Sequence, residues 1–534
     1  MYVGQNPLHT EQAMFNKIKK VTQLRKIFLL MLLGGMPVLS VAQVFPVCPI
    51  LTYVNVDARR SLMVTEVNVV RRAISLREVM DKLVDDSGIA GLNRRRLWAQ
   101  WWDTQNAGPG LGLGANCDDR TDPLGNPTLN GFPLDCPRNE GSEVSSNPFD
   151  PSQPGFYYPI ALVNRLDLAP EDGSNCGEYR AIFARDPAAG DGRNFLIFEA
   201  KLPNPNPDCG IDGCRGIATF WAKLSRVNDP ATRARMLHSF YFEGLPAQGV
   251  SPVIDVRNFG PGAGQIRTNQ FMSGPNSQEW QLREFKLALL QTQPQGRQSL
   301  QFVPVSAKTT PWGELFSEQF NSPLTVPFMR HYITQVDELD ARDITQLAYA
   351  VPNQFNSGQS TEQLPSESDY LSHFNSSGLF SRAIQARLNR IGSNLTPDET
   401  VKRARTQSCA GCHELSNNDA LGNGLVWPSS LGFVHIHEQL TEQINGTDHF
   451  RISPALVDVF LPHRERIFES YLGSDCQSCP QPLISGGNAD EGLSIISVLV
   501  DDGVNPLASQ LESLDATLKF GWPSDTLGGP AQTH

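Results

Sequence analysis

The sequence predicts an α+β protein: an antiparallel β-rich domain followed by a mostly α-helical one. Two observations carry that reading. Residues 158–163, 179–183 and 194–200 are near-continuous apolar runs of strand length separated by turn residues, the pattern of strands covered on both faces. Past residue 310 the apolar spacing changes to three and four, at 327–337, 343–351 and 377–391, which is helical periodicity.

The 534-residue chain carries a formal net charge of −12. Its first 42 residues read as an export signal. Lys17, Lys19, Lys20, Arg25 and Lys26 precede an apolar run at 27–33, and Ser40-Val41-Ala42 offers small residues for cleavage before Gln43. Gly34, Gly35 and Pro37 break the run, leaving it short for a membrane span; an uncleaved anchor is the alternative. Removing residues 1–42 takes away five basic side chains and one acidic one, moving the charge to −16. Such a surface disfavours nucleic acid and anionic membranes, which need clustered Lys and Arg. No later stretch reaches the ~18 apolar residues of a span, so no membrane span is expected once the signal is gone.

Residues 43–105 form an N-terminal α/β segment. The β-branched stretch 52–70 reads as one or two strands. Ser75-Leu-Arg-Glu78 has capping-box spacing, and Val79, Met80, Leu83 and Val84 set a helix over 76–86. A second helix carries Arg94–Arg96 with Trp98, Trp101 and Trp102 packed into the core. Residues 106–156 are a Gly/Pro/Asn-rich connector. Its alternating glycines have no strand before them, so a phosphate loop is not supported, and Asp118, Asp119 and Asp122 lack EF-hand spacing. The α+β domain spans 157–308, with helices at 216–225 and 229–242 and further strands at 253–256, 265–269, 280–289 and 299–305. Arg165, Asp167, Glu178 and Arg180 beside its strands read as a buried ion-pair network that fixes register, a catalytic acid and base being the alternative. A helical segment covers 309–394, and Thr396-Pro-Asp-Glu399 starts another helix with cap, proline and capping-box glutamate together. No G-x-S-x-G, H-E-x-x-H or P-loop is present, which lowers the case for common hydrolases and kinases.

The one segment whose spacing demands a particular chemistry is Cys409-Ala410-Gly411-Cys412-His413. Two thiols three positions apart can each add across a haem vinyl group, and the next histidine can ligate the iron. With ten Cys and ten His in the chain, chance supplies this pentapeptide in about one such sequence in a few hundred. A C-x-x-C disulfide, or half of a zinc site completed by Cys476 and Cys479, are the alternatives. The eight other cysteines suit an oxidising compartment. The preferred local pairs are Cys117 with Cys136, Cys209 with Cys214 and Cys476 with Cys479, leaving Cys48 with Cys176, although sequence alone does not fix connectivity.

On that pentapeptide, residues 395–470 resemble the c-type cytochromes, so 395–534 reads as a haem c-like domain with a C-terminal tail. The resemblance implies one covalent haem c, thioether links at Cys409 and Cys412, and His413 as the proximal iron ligand. It also implies a periplasmic or secreted protein, because bacterial covalent haem attachment occurs outside the cytoplasm. Every methionine lies at or before Met329, so a downstream methionine is not available as second axial ligand. His435 and His437, on one face of a strand with Phe433, are the candidate distal ligands, with Met272 and Met329 next. Arg387, Arg390, Lys402, Arg403 and Arg405 serve haem propionates or an acidic redox partner, or form a solvated helix face. The expected function is an exported monohaem protein for electron transfer or haem-iron redox chemistry, as carrier or haem-dependent oxidoreductase. The rival is a secreted, disulfide-stabilised binding or surface protein with no haem, Cys409–Cys412 being a disulfide. Neither catalytic residues nor the substrate or redox partner can be read from the chain.

Overall fold

The computed structural model describes residues 54–187, 192–272, 280–292, 297–362 and 367–475. The segment expected to be an export signal, Cys48, Cys476 and Cys479 lie outside them. Among the described residues the organising element is an eight-stranded sheet. Its strands are β1 (Met63–Val64), β2 (Tyr157–Arg165), β3 (Asn175–Arg185), β4 (Asn194–Pro203), β5 (Gln265–Gln270), β6 (Gln281–Thr292), β7 (Arg297–Val305) and β8 (Ser360–Thr361). The spatial order is β1-β2-β3-β4-β5-β6-β8, with β7 also on β6, and every pairing is antiparallel. The three apolar runs are the adjacent strands β2, β3 and β4, buried on both faces as such runs require.

Register decides what each face carries. Met63 pairs with Val163, Val163 with Arg180, and Arg180 with Glu199. In the next rung Ile182 pairs with Ile197, Ile197 with Arg267, and Arg267 with Glu284. Because strand side chains alternate, these residues share one face. The other face carries Phe198, Ile266 and Phe285 in register. It is covered by helix α3 (Arg94–Asp103), which follows α1 (Val67–Ala73) and α2 (Leu76–Ser87). Trp98, Trp101 and Trp102 are fully buried, and Trp101 stacks on Phe302 at 4.0 Å. Each indole stabilises the fold by at most about 4–6 kcal/mol of apolar burial. Gln100 pins β7 by accepting from Phe302 N at 2.8 Å and donating to its carbonyl at 3.1 Å.

The expected architecture is corrected here: there is no β-domain followed by a cytochrome-like helical domain. The sheet takes β1 from the N-terminal segment and β8 from the segment expected to be helical. Cys409, Cys412 and Val434 share one continuous core with Trp98, Phe198 and Phe285. Two-residue edge strands carry no period, so nothing in the sequence marks them. A smaller core under α6 (Thr325–Leu339), α7 (Leu379–Ile391) and α8 (Pro397–Thr406) holds Phe316, Phe328 and Tyr332.

Local expectations divide. The Ser75 cap, the tryptophan helix and the helices α4 (Arg215–Leu224) and α5 (Pro230–Phe242) form where expected. Of the described residues 54–70 only Met63–Val64 form a strand; Val67–Ala73 is a helix whose Val69 and Val70 are buried, tertiary burial overriding β propensity. Residues 253–256 are not a strand, and Asp255 caps a short 3₁₀ turn instead. Residues 343–351 hold only the turn Ile344–Gln346, because the Asp343 carboxylate accepts from Thr345 N at 2.8 Å and competes with helix.

Among the disulfides, Cys117–Cys136 forms as expected, while Cys176 pairs with Cys214 rather than Cys48, and so Cys209–Cys214 does not form. Among the described residues no helix is long and apolar enough to cross a membrane.

Candidate functional site

Helix α8 delivers the C-x-x-C-H segment. Its capping box is complete: Glu399 N donates to Thr396 Oγ1 at 3.2 Å and Thr396 N to Glu399 Oε2 at 2.7 Å. Of the basic residues around it, Arg403 and Arg405 turn inward, while Arg390 is exposed and Arg387 and Lys402 are half-buried. Arg403 is fully buried and donates to the carbonyls of Leu421, Leu339 and Ala341. Arg405 bridges Asp369 and Asp419, and Arg387 pairs with Asp337. After α8 the chain tightens into a π-type turn, Gly411–Leu415. A Cβ on Gly411 would lie 1.7 Å from the Arg405 carbonyl oxygen, so only glycine permits this turn to fold back on α8.

Cys409 and Cys412 are free thiols, both fully buried. The disulfide alternative for this pair is therefore not what the fold forms. Thr310 Oγ1 lies 3.5 Å from Cys409 Sγ, and Ala410 N donates to Ser360 Oγ at 3.0 Å, tying the motif to strand β8. Burial raises the Cys409 thiol and raises Cys412 well above the usual range, so both stay protonated.

His413 is buried, and its Nδ1 donates to the Phe433 carbonyl at 2.8 Å. That bond selects the tautomer with the lone pair on Nε2, the form in which imidazole ligates a metal. Burial pulls its pKa down to about 4, keeping the ring neutral. Trp280 stacks on the imidazole at 5.4 Å and on Phe433 at 4.8 Å. Thr309 and Phe433, on either side of the motif, both take left-handed backbone, φ 57° and 59°. Non-glycine residues pay for that conformation, which persists where surrounding structure dictates it.

The two later histidines separate. His435 holds Nε2 3.5 Å from Cys412 Sγ and Nδ1 2.9 Å from Ser453 Oγ, its ring 4.8 Å from that of His413. His437, in β9 (Ile436–Ile444), which pairs with β10 (Thr447–Ile452), lies 3.6 Å from Glu438. His435 lines the cavity described next; His437 does not.

A cavity lies between His413 of the motif and the sheet. His413, His435 and Leu456 line it. The shared sheet face supplies Met63, Ile182, Ile197, Arg180, Arg267 and Glu199. Arg464, from α9 (Leu461–Gly473), completes a trio of guanidiniums. Arg180 and Arg267 pair with Glu199 at 3.3 and 3.1 Å, and Arg267 also with Glu284 at 3.0 Å. Arg464 lies 3.9 Å from Asp167, which Arg165 already engages at 2.9 Å. Burial, then the charge of Arg165, pushes Arg464 below the ordinary arginine range. An arginine keeps its proton, so that burial favours an anion beside it.

Arg180 was visible in the sequence as part of an ion-pair network and holds Glu178 at 2.9 Å in that role. Arg267, Arg464 and Met63 carry no local signal, since only strand register and helix packing bring them to the cavity. Met272 and Met329 do not line it; Met329 packs on the smaller helical core. Among the described residues no group of three or more His, Cys, Asp or Glu is gathered to hold a bare metal ion. No family model, curated protein or solved structure matches the chain, so its function is argued from these residues alone.

Proposed function

We propose that this protein is an exported, c-type cytochrome-like monohaem protein, with one haem c covalently held at Cys409 and Cys412. The observation that carries the reading is the pair of free, buried thiols beside a histidine whose Nδ1 is committed to a backbone carbonyl and which lines a cavity with apolar and guanidinium side chains. The residues fit the group. Ile182, Ile197 and Leu456 offer apolar walls to a flat macrocycle, and Arg464, Arg267 and Arg180 offer guanidiniums to its two carboxylates. His413 would offer Nε2 to the iron. Bound haem would supply one-electron chemistry. The chain's part is to orient the ring through Trp280 and the Phe433 carbonyl and to exclude water. Its apolar walls would favour the less charged oxidation state of such a group. Disulfide formation at Cys117–Cys136 and Cys176–Cys214 accords with export to the periplasm or beyond.

The test is expression in a host able to attach haem. Haem staining that survives denaturing electrophoresis, lost in Cys409→Ala/Cys412→Ala, supports the proposal. A colourless wild-type protein from that host rejects it in favour of the haem-free binding protein.

A further inference from the structure

We infer that His435 is the proton acceptor for Cys412 when that thiol forms its thioether link, a role separate from ligation of iron. The inference rests on the covalent-haem reading above.

The bond-forming step dictates what the protein must supply. Sulfur bonds to the inner carbon of a vinyl group, and the carbon–carbon double bond becomes single. The hydrogen that leaves sulfur ends on the outer carbon, which becomes a methyl group. No electron is gained or lost overall, and nothing besides thiol and vinyl is consumed. The attacking species is the thiolate. From whichever direction the vinyl approaches, the Sγ proton has to be held by a neighbouring group until it reaches carbon.

His435 has the geometry for this. Its Nε2 lies 3.5 Å from Cys412 Sγ and its Nδ1 2.9 Å from Ser453 Oγ. Ser453 is fully buried and holds the histidine twice. Its backbone N donates to the His435 carbonyl at 2.9 Å, while its Oγ accepts from Leu456 N at 3.3 Å. The second lone pair of that oxygen takes the Nδ1 hydrogen, which leaves the Nε2 lone pair facing the thiol. A thiol, a base in contact with it and a third group that orients the base are the parts of an activated nucleophile.

Cys409 is served differently. Its Sγ meets Thr310 Oγ1 at 3.5 Å, a hydroxyl that takes up no proton near neutral pH. Loss of the His435 imidazole therefore acts on one link and spares the other. A general loss of structure would weaken both, so the two links report separately on chemistry and on folding.

The experiment compares wild type, His435→Gln, His435→Ala and Ser453→Ala as full-length protein. Haem-free protein of each is mixed with ferrous protoporphyrin IX under reducing conditions. Mass spectrometry of the digested haem peptide then reads the two links separately, with iodoacetamide in urea marking whichever cysteine is unlinked. Wild type from a haem-attaching host is stained for haem alongside. Wild type is expected to form both links. Both His435 variants should form the Cys409 link at the wild-type rate and the Cys412 link about 100-fold more slowly. His435→Gln keeps a polar side chain of similar reach in case the alanine variant does not fold. Ser453→Ala, which keeps the ring but not its anchor, should slow the Cys412 link severalfold. His435 variants that form both links at wild-type rates overturn the inference and leave the haem reading intact. So does equal slowing of both links, or a wild type that carries haem from the host yet forms no Cys412 link on mixing. A wild type without haem from the host overturns both.

Discussion

Cys412 Sγ lies 3.5 Å from His435 Nε2, and the far nitrogen of that ring lies 2.9 Å from Ser453 Oγ. In an exposed, electropositive setting such a row would be an activated nucleophile, thiolate beside imidazolium. Here burial acts on both groups in the opposite sense, raising the thiol and lowering His435 well below its usual range. The pair is neutral, and Cys412 is a stored thiol rather than a reactive one.

The first prediction concerns haem-free protein. Its Cys409 and Cys412 should react with iodoacetamide at pH 8 at least ~100-fold more slowly in native buffer than in urea, because both are buried and protonated. Mass mapping of the alkylated peptide measures this. Fast native labelling would mean an open, activated thiol.

Cys409→Ala with Cys412→Ala should do more than remove haem. Both sulfurs belong to the core that includes the sheet, so each truncation should cost roughly 1–2 kcal/mol. A lowered urea midpoint shared by fluorescence and circular dichroism is expected. A midpoint equal to wild type would place the motif outside the cooperative unit.

Arg464→Met separates binding from folding. Asp167 keeps Arg165 as partner, so the change removes a costly buried cation without orphaning a carboxylate. Haem-free protein should be unchanged or stabilised by up to about 2 kcal/mol, while the haem-to-protein ratio falls severalfold. Equal haem loading would remove Arg464 from the cofactor's carboxylates.

Reducing one bond tests the disulfide correction. Cys176→Ser/Cys214→Ser opens a link between residues 38 apart, worth about 4 kcal/mol by loop-closure entropy. Unreduced peptide maps should yield the Cys176–Cys214 pair, and urea titration should show the loss.

The pH prediction rests on His449, buried beside Thr65 and Thr447. Burial first, then Arg59, Arg233 and Arg60, lower its pKa from 6.5 to about 4. Between those values the unfolded chain binds a proton that the folded chain does not. Its contribution is therefore full above pH 6.5 and is lost as pH falls towards 4. In haem-free protein His449→Gln should reduce the loss of stability between pH 7 and 4.5, read from urea midpoints. An unchanged slope would reject this.

Sequence alone determined whatever depends on neighbours along the chain. The Ser75 and Thr396 caps, the tryptophan helix, strands β2 to β4 and the motif itself are contained in windows of a few residues, where cap geometry and apolar period decide the outcome. Tertiary structure decided what depends on register and packing. Strand pairing between Met63 and Val163, and between Ser360 and Leu282, joined what read as separate domains into one sheet. The same register turned Arg267 toward the cavity, while the buried carbonyls of Leu339, Ala341 and Leu421 drew Arg403 inward, away from it. His435 and His437 differ by two positions, yet only the first meets the cavity, because β9 begins between them and His437 turns to Glu438. A side chain's type is local, but the partner that satisfies its charge or lone pair is chosen by contacts hundreds of residues away.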